Sequence, residues 1–280
     1  MTHILIIGIL GLIGVALAWW LLVTTEGVYL GRRVVIWLYD LYAGRYDNIK
    51  KFDPTGEMFY LGLSVLGALR DTKAPLVLDV ASGTGRLSRV LLSAAQFNGR
   101  VWGLDLSRRM LARAALKLRG YGNRARWLWR GAESLPFEDG CFDMVTCLEA
   151  LEFFVDQRAV LAEVVRVMRP GGILLTTRRL GRDARLMPGK ALSAPELRAL
   201  LEALGLEQVE FRRWQMDYDQ VWARKPGGSI GGRGNTLPLL ELLRCVRCGA
   251  LALVEDEAEL CCKACGARYA ITDGVIDLRR

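Results

Sequence analysis

Four cysteines near the C-terminus are spaced as CVRC (245–248) and CKAC (262–265), a C-x2-C-x13-C-x2-C pattern. Thiolates three positions apart fold into a knuckle facing one metal. Two knuckles give Cys245, Cys248, Cys262 and Cys265 the tetrahedral sulfur set that suits a structural Zn2+. Cys261 adjoins the second pair but breaks its spacing and is left out. A second constellation is VLDVASGTGRLS (77–88), an apolar run that ends at Asp79-Val80 and turns through Gly83-x-Gly85 into a helical pattern. Such a turn aims backbone N–H groups and the positive end of a helix at a ligand, with no Cβ to hold it off. Further on, GLDLS (103–107) places Asp105 at the end of the next apolar run. There a carboxylate accepts hydrogen bonds from both hydroxyls of a ribose, so the expected ligand contains adenosine.

These residues need a scaffold, and the spacing supplies one. From Pro75 short apolar runs alternate with amphipathic stretches, which is the pattern of repeated β–α units around a mostly parallel sheet. Strands are expected near 76–80, 101–105, 126–129, 142–147 and 172–177, with helices at about 86–95, 107–119 and 157–168. Another helix opens at SAPE, where Ser193 caps, Pro195 sits in the first turn and Glu196 completes a capping box. Runs at 207–214 and 217–224 close the domain as an antiparallel hairpin. Residues 28–70 have a helical rhythm broken at Asp53-Pro54 and near Gly56, and 26–74 are expected to form a cap of two or three helices. Residues 226–238 read as a glycine-rich linker between the core, 75–225, and the cysteine tail, 239–280.

Residues 4–23 carry no charge for a length that spans a hydrocarbon core. Trp19 and Trp20 suit the interface at its end. Ala16-Leu17-Ala18 imitates a signal-peptidase site, but the start MTH lacks the basic n-region of a signal, which favours a retained anchor over residues 1–25. Arg32, Arg33, Lys50 and Lys51 follow it and place the bulk of the chain in the cytoplasm, as a single-pass membrane protein. The net charge of +8 resides in the middle of the chain, where residues 76–240 hold 25 basic against 17 acidic side chains. The clusters at Arg119–Arg130, Arg166–Lys190 and Arg212–Arg213 fit an anionic membrane surface or nucleic acid, or are simply solvated faces. In a cytoplasmic domain the core cysteines, Cys141 and Cys147, are expected as packed small residues, not disulfides.

Two cofactor classes use the glycine turn. A dinucleotide loop has G-x-G-x-x-G, whereas the third glycine position here is Ser88. The Tyr46…Lys50 pair precedes the loop, against its place in short-chain dehydrogenases. The chain instead resembles the class I S-adenosylmethionine-dependent methyltransferases. VLDVASGTG matches their first motif, ESLPFEDGCFDMVTCLEALEF (133–153) the stretch between their third and fourth strands, and RVMRPGGILLTT (166–177) the turn into strand five. The resemblance implies an α/β fold, a seven-stranded Rossmann-like αβα sandwich with S-adenosyl-L-methionine as cofactor. It further implies Asp79, Ala81, Gly83 and Gly85 at the methionine part, Asp105 on the ribose, and Leu106, Ala132 and Glu133 around the adenine. Many relatives carry an Asp before the alanine matching Ala132. Here it is Gly131, and Glu133 or a backbone group would substitute. Tyr46-Asp47 resembles a pair that closes over the cofactor; the plainer alternative is a helix-surface tyrosine.

Histidine is unavailable as a base, because the only one is His3. Glu149 and Glu152, just after strand four, are the candidate bases, with exposed loop carboxylates as the plainer alternative; Tyr46 is a further candidate. Asp143 is expected to be structural. The tail resembles the small zinc-ribbon proteins that activate certain RNA and protein methyltransferases, which implies a docking or substrate-presenting module; a purely structural zinc knob is the alternative. The expected activity is methyl transfer to a lipid-soluble or membrane-associated small molecule. The alternatives are RNA or protein methylation through the basic core and ribbon, and a non-catalytic cofactor-binding assembly protein.

Overall fold

The computed structural model describes residues 2–228 and 238–279. Most of the linker expected at 226–238 lies outside them. Helix α1 (Thr2–Trp19) continues as a π-helical turn through Thr24. This 23-residue stretch has a mean hydropathy of 2.6 and none of its residues is buried in the chain, so it is long and apolar enough to cross a membrane. The cap contains three helices, within the expected two or three: α2 (Arg32–Tyr42), α3 (Tyr46–Lys50), and a third that runs from α4 (Pro54–Glu57) through a π-helical turn, Met58–Gly62, into α5 (Leu63–Leu69). Asp53 caps α4 by accepting from Gly56 N, with Pro54 in the first turn, which explains the break in rhythm there.

The core runs β1 (Leu76–Val80), α6 (Arg86–Ser93), β2 (Arg100–Asp105), α7 (Arg108–Leu118), β3 (Ala125–Trp129), β4 (Phe142–Cys147), α8 (Gln157–Val167) and β5 (Met168–Arg179). It ends with α9 (Gly181–Arg185), α10 (Ala194–Ala203), β6 (Glu207–Arg213) and β7 (Tyr218–Arg224). Ser193 and Glu196 form the expected capping box on α10. Strands β3, β2, β1, β4 and β5 are parallel neighbours, and β7 pairs antiparallel with both β5 and β6.

All five residues of β1 are buried. Leu76, Leu78 and Val80 join one apolar cluster with α8 and α10, whereas Val77 joins the other with α5, α6 and α7. That two-residue alternation makes the αβα sandwich. Asp143 is structural, as expected: it is buried in β4, accepts from Leu76 N at 2.6 Å and pairs with Arg169. Cys141 and Cys147 are buried, free thiols.

The core has the seven strands expected of it, β1 to β7. The sheet has eleven, because the tail adds β8 (Leu253–Asp256), β9 (Glu259–Cys262), β10 (Arg268–Thr272) and β11 (Val275–Asp277). Strand β11 lies parallel to β3, with Val275, Ile276 and Asp277 opposite Trp127, Leu128 and Trp129. The tail therefore covers the β3 edge. Leu243 bridges to Phe137, and Leu253, Leu260, Ile276 and Leu278 share the core cluster of α8. Ion pairs Arg108–Asp273 (2.7 Å) and Arg126–Glu255 (2.8 Å) join basic core to acidic tail, which gives part of the core's excess charge an internal partner.

Candidate functional site

The glycine turn needs left-handed backbone at three successive odd positions, with φ of 54° at Ala81, 53° at Gly83 and 76° at Gly85. Gly83 leaves open space where a Cβ would stand. At Gly85 a Cβ would press on Ala114 and Trp127 at 3.1 Å, so this glycine allows α6 to pack against α7 and β3. The turn is tied to the end of β2. Asp105 accepts from Gly83 N through one carboxylate oxygen and from Ser107 N through the other, each at 2.8 Å. Burial pushes the Asp105 carboxyl up to about 6, against the pull of these backbone donors. Each oxygen keeps a lone pair for a further donor. Asp79 lies beneath the turn, accepts from Thr146 (2.8 Å) and Ser88 (3.3 Å), and is raised to about 7 by burial. Ser88, the residue that breaks the dinucleotide pattern, thus serves as a partner for Asp79.

Above the turn a cleft encloses about 830 Å³ including its open mouth, within the range of small-molecule sites. Ala81, Gly83, Asp105, Leu106, Ala132, Glu133, Tyr46 and Glu149 all line it. Tyr39 and Ile36 of α2 and Phe153 and Phe154 after β4 give it an apolar lining as well. A smaller hollow of about 410 Å³ adjoins it, bounded by Asp79, Ser82, Thr84 and Arg86, with Tyr46 and Glu149 shared by both. Ser82 Oγ is buried behind the turn, towards Gly103 of β2, without a hydrogen-bond partner. A side chain at position 131 would collide with the Glu133 carboxylate, so Glu133 occupies the space Gly131 vacates; it also pairs with Arg32 at 3.0 Å.

The two candidate bases are separated by their backbones. Glu149 has φ 52° and turns into the cleft, where Arg86 (2.5 Å), Lys50 (3.1 Å) and Gln215 (3.2 Å) hold its carboxylate. Burial would raise its pKa, but the two cations outweigh it and the carboxyl is held below its usual range. Glu152 does not line the cleft. It is buried against Tyr218 (2.6 Å) and Arg179 (3.2 Å), and burial raises its pKa.

Tyr46 is no surface residue. It packs at 5.9 Å from Tyr39 and 6.0 Å from Phe52, and burial followed by the Glu149 charge raises its pKa. Its neighbour Asp47 anchors the cap, accepting from Lys117 at 2.6 Å and from Thr84 of the turn. Arg86, Lys50, Lys117 and Asp40, which accepts from Ser107 Oγ at 2.5 Å, were not legible as site residues. Arg86 directly follows the glycine turn, yet its carboxylate partners Glu57 and Glu149 come from distant segments.

In the tail all four Sγ atoms of Cys245, Cys248, Cys262 and Cys265 lie within 4.8 Å of one another. Cys245–Cys265 and Cys248–Cys262 are each 3.7 Å apart, and four thiolates about 2.3 Å from a zinc at tetrahedral angles stand about 3.8 Å apart. Gly249 N and Gly266 N donate back to Cys245 and Cys262 carbonyls, closing both knuckles with left-handed glycines. The donor set and spacing fit zinc. Cys261 lies outside the cluster, as its spacing predicts.

Comparison with known proteins fits this geometry. Residues 77–172 match a family model described as a methyltransferase domain. The ubiquinone/menaquinone biosynthesis C-methyltransferase UbiE of Desulfotalea psychrophila is 37% identical over 135 residues, covering 48% of this chain and 54% of that protein. The demethylmenaquinone methyltransferase of Thermus thermophilus is 41% identical over 104 residues, 37% of this chain and 47% of that one. The chain thus spans about half the length of the curated relatives it matches. The crystal structure of a SAM-dependent methyltransferase from Aquifex aeolicus shares the fold, with a TM-score of 0.52 at 22% identity over 62% of this chain and 95% of that one.

Proposed function

Because residues 77–172 form a class I methyltransferase domain, we propose that the chain transfers a methyl group from S-adenosyl-L-methionine to a lipid-soluble, quinone-like acceptor. One observation carries the reading. A single cleft is lined both by the carboxylates of Asp105 and Glu133 and by the apolar side chains of Ile36, Phe153 and Phe154, so a charged nucleoside and an apolar ring can lie in one space. The names of the quinone-biosynthesis relatives favour the same acceptor class.

When bound, the cofactor supplies a methyl already activated on a sulfonium, so the protein mainly has to align and dry the reactants. Asp105 offers its remaining lone pairs to the ribose hydroxyls. Leu106 and Ala132 flank the adenine, with Glu133 at its edge in place of a side chain at 131. Gly83 leaves room for the methionine part. Tyr46 covers the junction of the two hollows. Glu149, held ionised by Lys50 and Arg86, is a weak base and is better suited to stabilising positive charge beside the reacting atoms.

Incubating the full chain with radiolabelled cofactor and, separately, a membrane lipid extract, RNA and total protein tests the reading. Label is expected in the lipid fraction. Label confined to RNA or protein would move the acceptor to the ribbon-docked class, and none despite cofactor binding would favour an assembly role. Asp105→Ala should weaken cofactor binding at least a hundredfold; unchanged affinity in calorimetry would remove the ribose assignment.

A further inference from the structure

Helix α2 has two unlike faces. Val35, Ile36 and Tyr39 line the cleft and Leu38 is buried, while Trp37 and Leu41 stand 58% and 55% exposed. Arg33, Trp37 and Leu41, four positions apart, form one solvent-facing stripe, and the exposed Leu30 precedes it. A large exposed tryptophan and leucine beside an arginine are the composition of a helix that lies in a bilayer interface.

The foot of the apolar helix fixes where this stripe sits. Trp20 Nε1 donates to Leu186 O (3.1 Å) and Tyr29 OH to Pro188 O (2.7 Å), and the two rings stack 5.1 Å apart. Only residues 25–31 separate the end of the span from α2, and the buried Thr25 and Val28 pin them. The span therefore joins the domain through a packed joint, and the start of α2 must stay at the foot of the span. The same joint holds the segment just after α9, the short helix that carries Arg182 and Arg185, both exposed.

We propose that the Trp37–Leu41 stripe of α2, flanked by Arg33, Arg182 and Arg185, rests on the anionic leaflet entered by the apolar helix, so that the cleft beneath α2 loads its acceptor from the bilayer. The occupant is the lipid surface: the stripe is continuous with a membrane-length helix, and its flanking charges complement anionic headgroups. The loading half rests on the lipid-soluble acceptor proposed above.

The full chain, reconstituted in phosphatidylethanolamine/phosphatidylglycerol vesicles with brominated acyl chains, provides the test. Trp19 and Trp20 are quenched in any inserted protein, so the difference between wild type and the conservative Trp37→Phe variant isolates position 37. A quenched component that disappears in Trp37→Phe is expected. Its absence from vesicles that carry the protein on flotation would overturn the proposal, as would a Trp37 shielded from aqueous quenchers yet untouched by bromine, which would mean a second protein surface covers the stripe. Replacing phosphatidylglycerol by phosphatidylcholine should reduce that component, and Arg182→Gln and Arg185→Gln should each lower the sensitivity roughly fivefold. Trp37→Glu/Leu41→Glu should slow transfer to a bilayer-embedded acceptor at least tenfold and spare transfer to a short-chain, water-soluble analogue. Equal loss on both acceptors would overturn the loading role. The quenching requires no methyl transfer, so its failure is distinguishable from failure of the chemical assignment.

Discussion

Asp105 shows how one carboxylate serves both fold and ligand. Backbone amides hold both oxygens, Gly83 N on one and Ser107 N on the other, and fix the carboxylate plane in the cleft wall. Its raised pKa has a consequence for binding. The ribose hydroxyls require the carboxylate form, which is depleted as pH falls through about 6, so cofactor affinity should be roughly tenfold weaker at pH 5 than at pH 8. Calorimetry across that range checks it, and Asp105→Asn should flatten the profile. Asp79, raised to about 7, titrates in the same window, and Asp79→Asn should leave the drop at pH 5 in place. Gly85→Ala introduces both left-handed strain and a Cβ tight against Ala114 and Trp127. It should cost about 1–3 kcal/mol in denaturant unfolding.

Among the elements, β11 connects the tail to the nucleoside end of the cleft. Arg279, just beyond it, lies over the Trp129 ring at 3.1 Å. The Trp129 indole donates to Leu106 O at 2.8 Å, and Arg130, in the cleft wall, donates to Leu278 O and Ser134 O. Deleting residues 275–280 would uncover β3 and release these contacts together. The expected outcome is a lower thermal midpoint and weaker cofactor binding, whereas Ser193→Ala, which removes the capping box of α10 at a residue that does not line the cleft, should cost about 1 kcal/mol and leave affinity unchanged. Thermal scans and titrations of the two variants side by side separate a coupled contact from general destabilisation.

Taken whole, the molecule has two features that a lone core domain would lack: an apolar helix joined rigidly at one end and a cysteine-held tail spliced into the sheet at the other. The tail is small, so a metal on its four cysteines would supply much of its folding energy. A strong chelator should therefore unfold the tail, expose the β3 edge and lower the midpoint of the full chain, with zinc restoring it. Unchanged melting after metal is shown to be removed would mean that packing against α8 and β3 suffices.

The sequence by itself determined the local rules. Apolar runs of five or six residues, glycines where the backbone must turn left-handed, Ser193-x-x-Glu196 and the C-x2-C pairs each act over a few bonds, so their spacing alone specifies strand, turn, cap and knuckle. Only the tertiary structure decided the rest. Glu149 and Glu152 are three residues apart and alike in sequence; a left-handed backbone at 149 sends one into the cleft to Arg86 and Lys50, while the other is buried on Arg179 and Tyr218. Likewise nothing local in Val275–Asp277 announces a parallel partner about 150 positions earlier. That pairing, and with it the eleven-stranded sheet, arises because an open β3 edge and a short apolar strand meet only once the chain has folded.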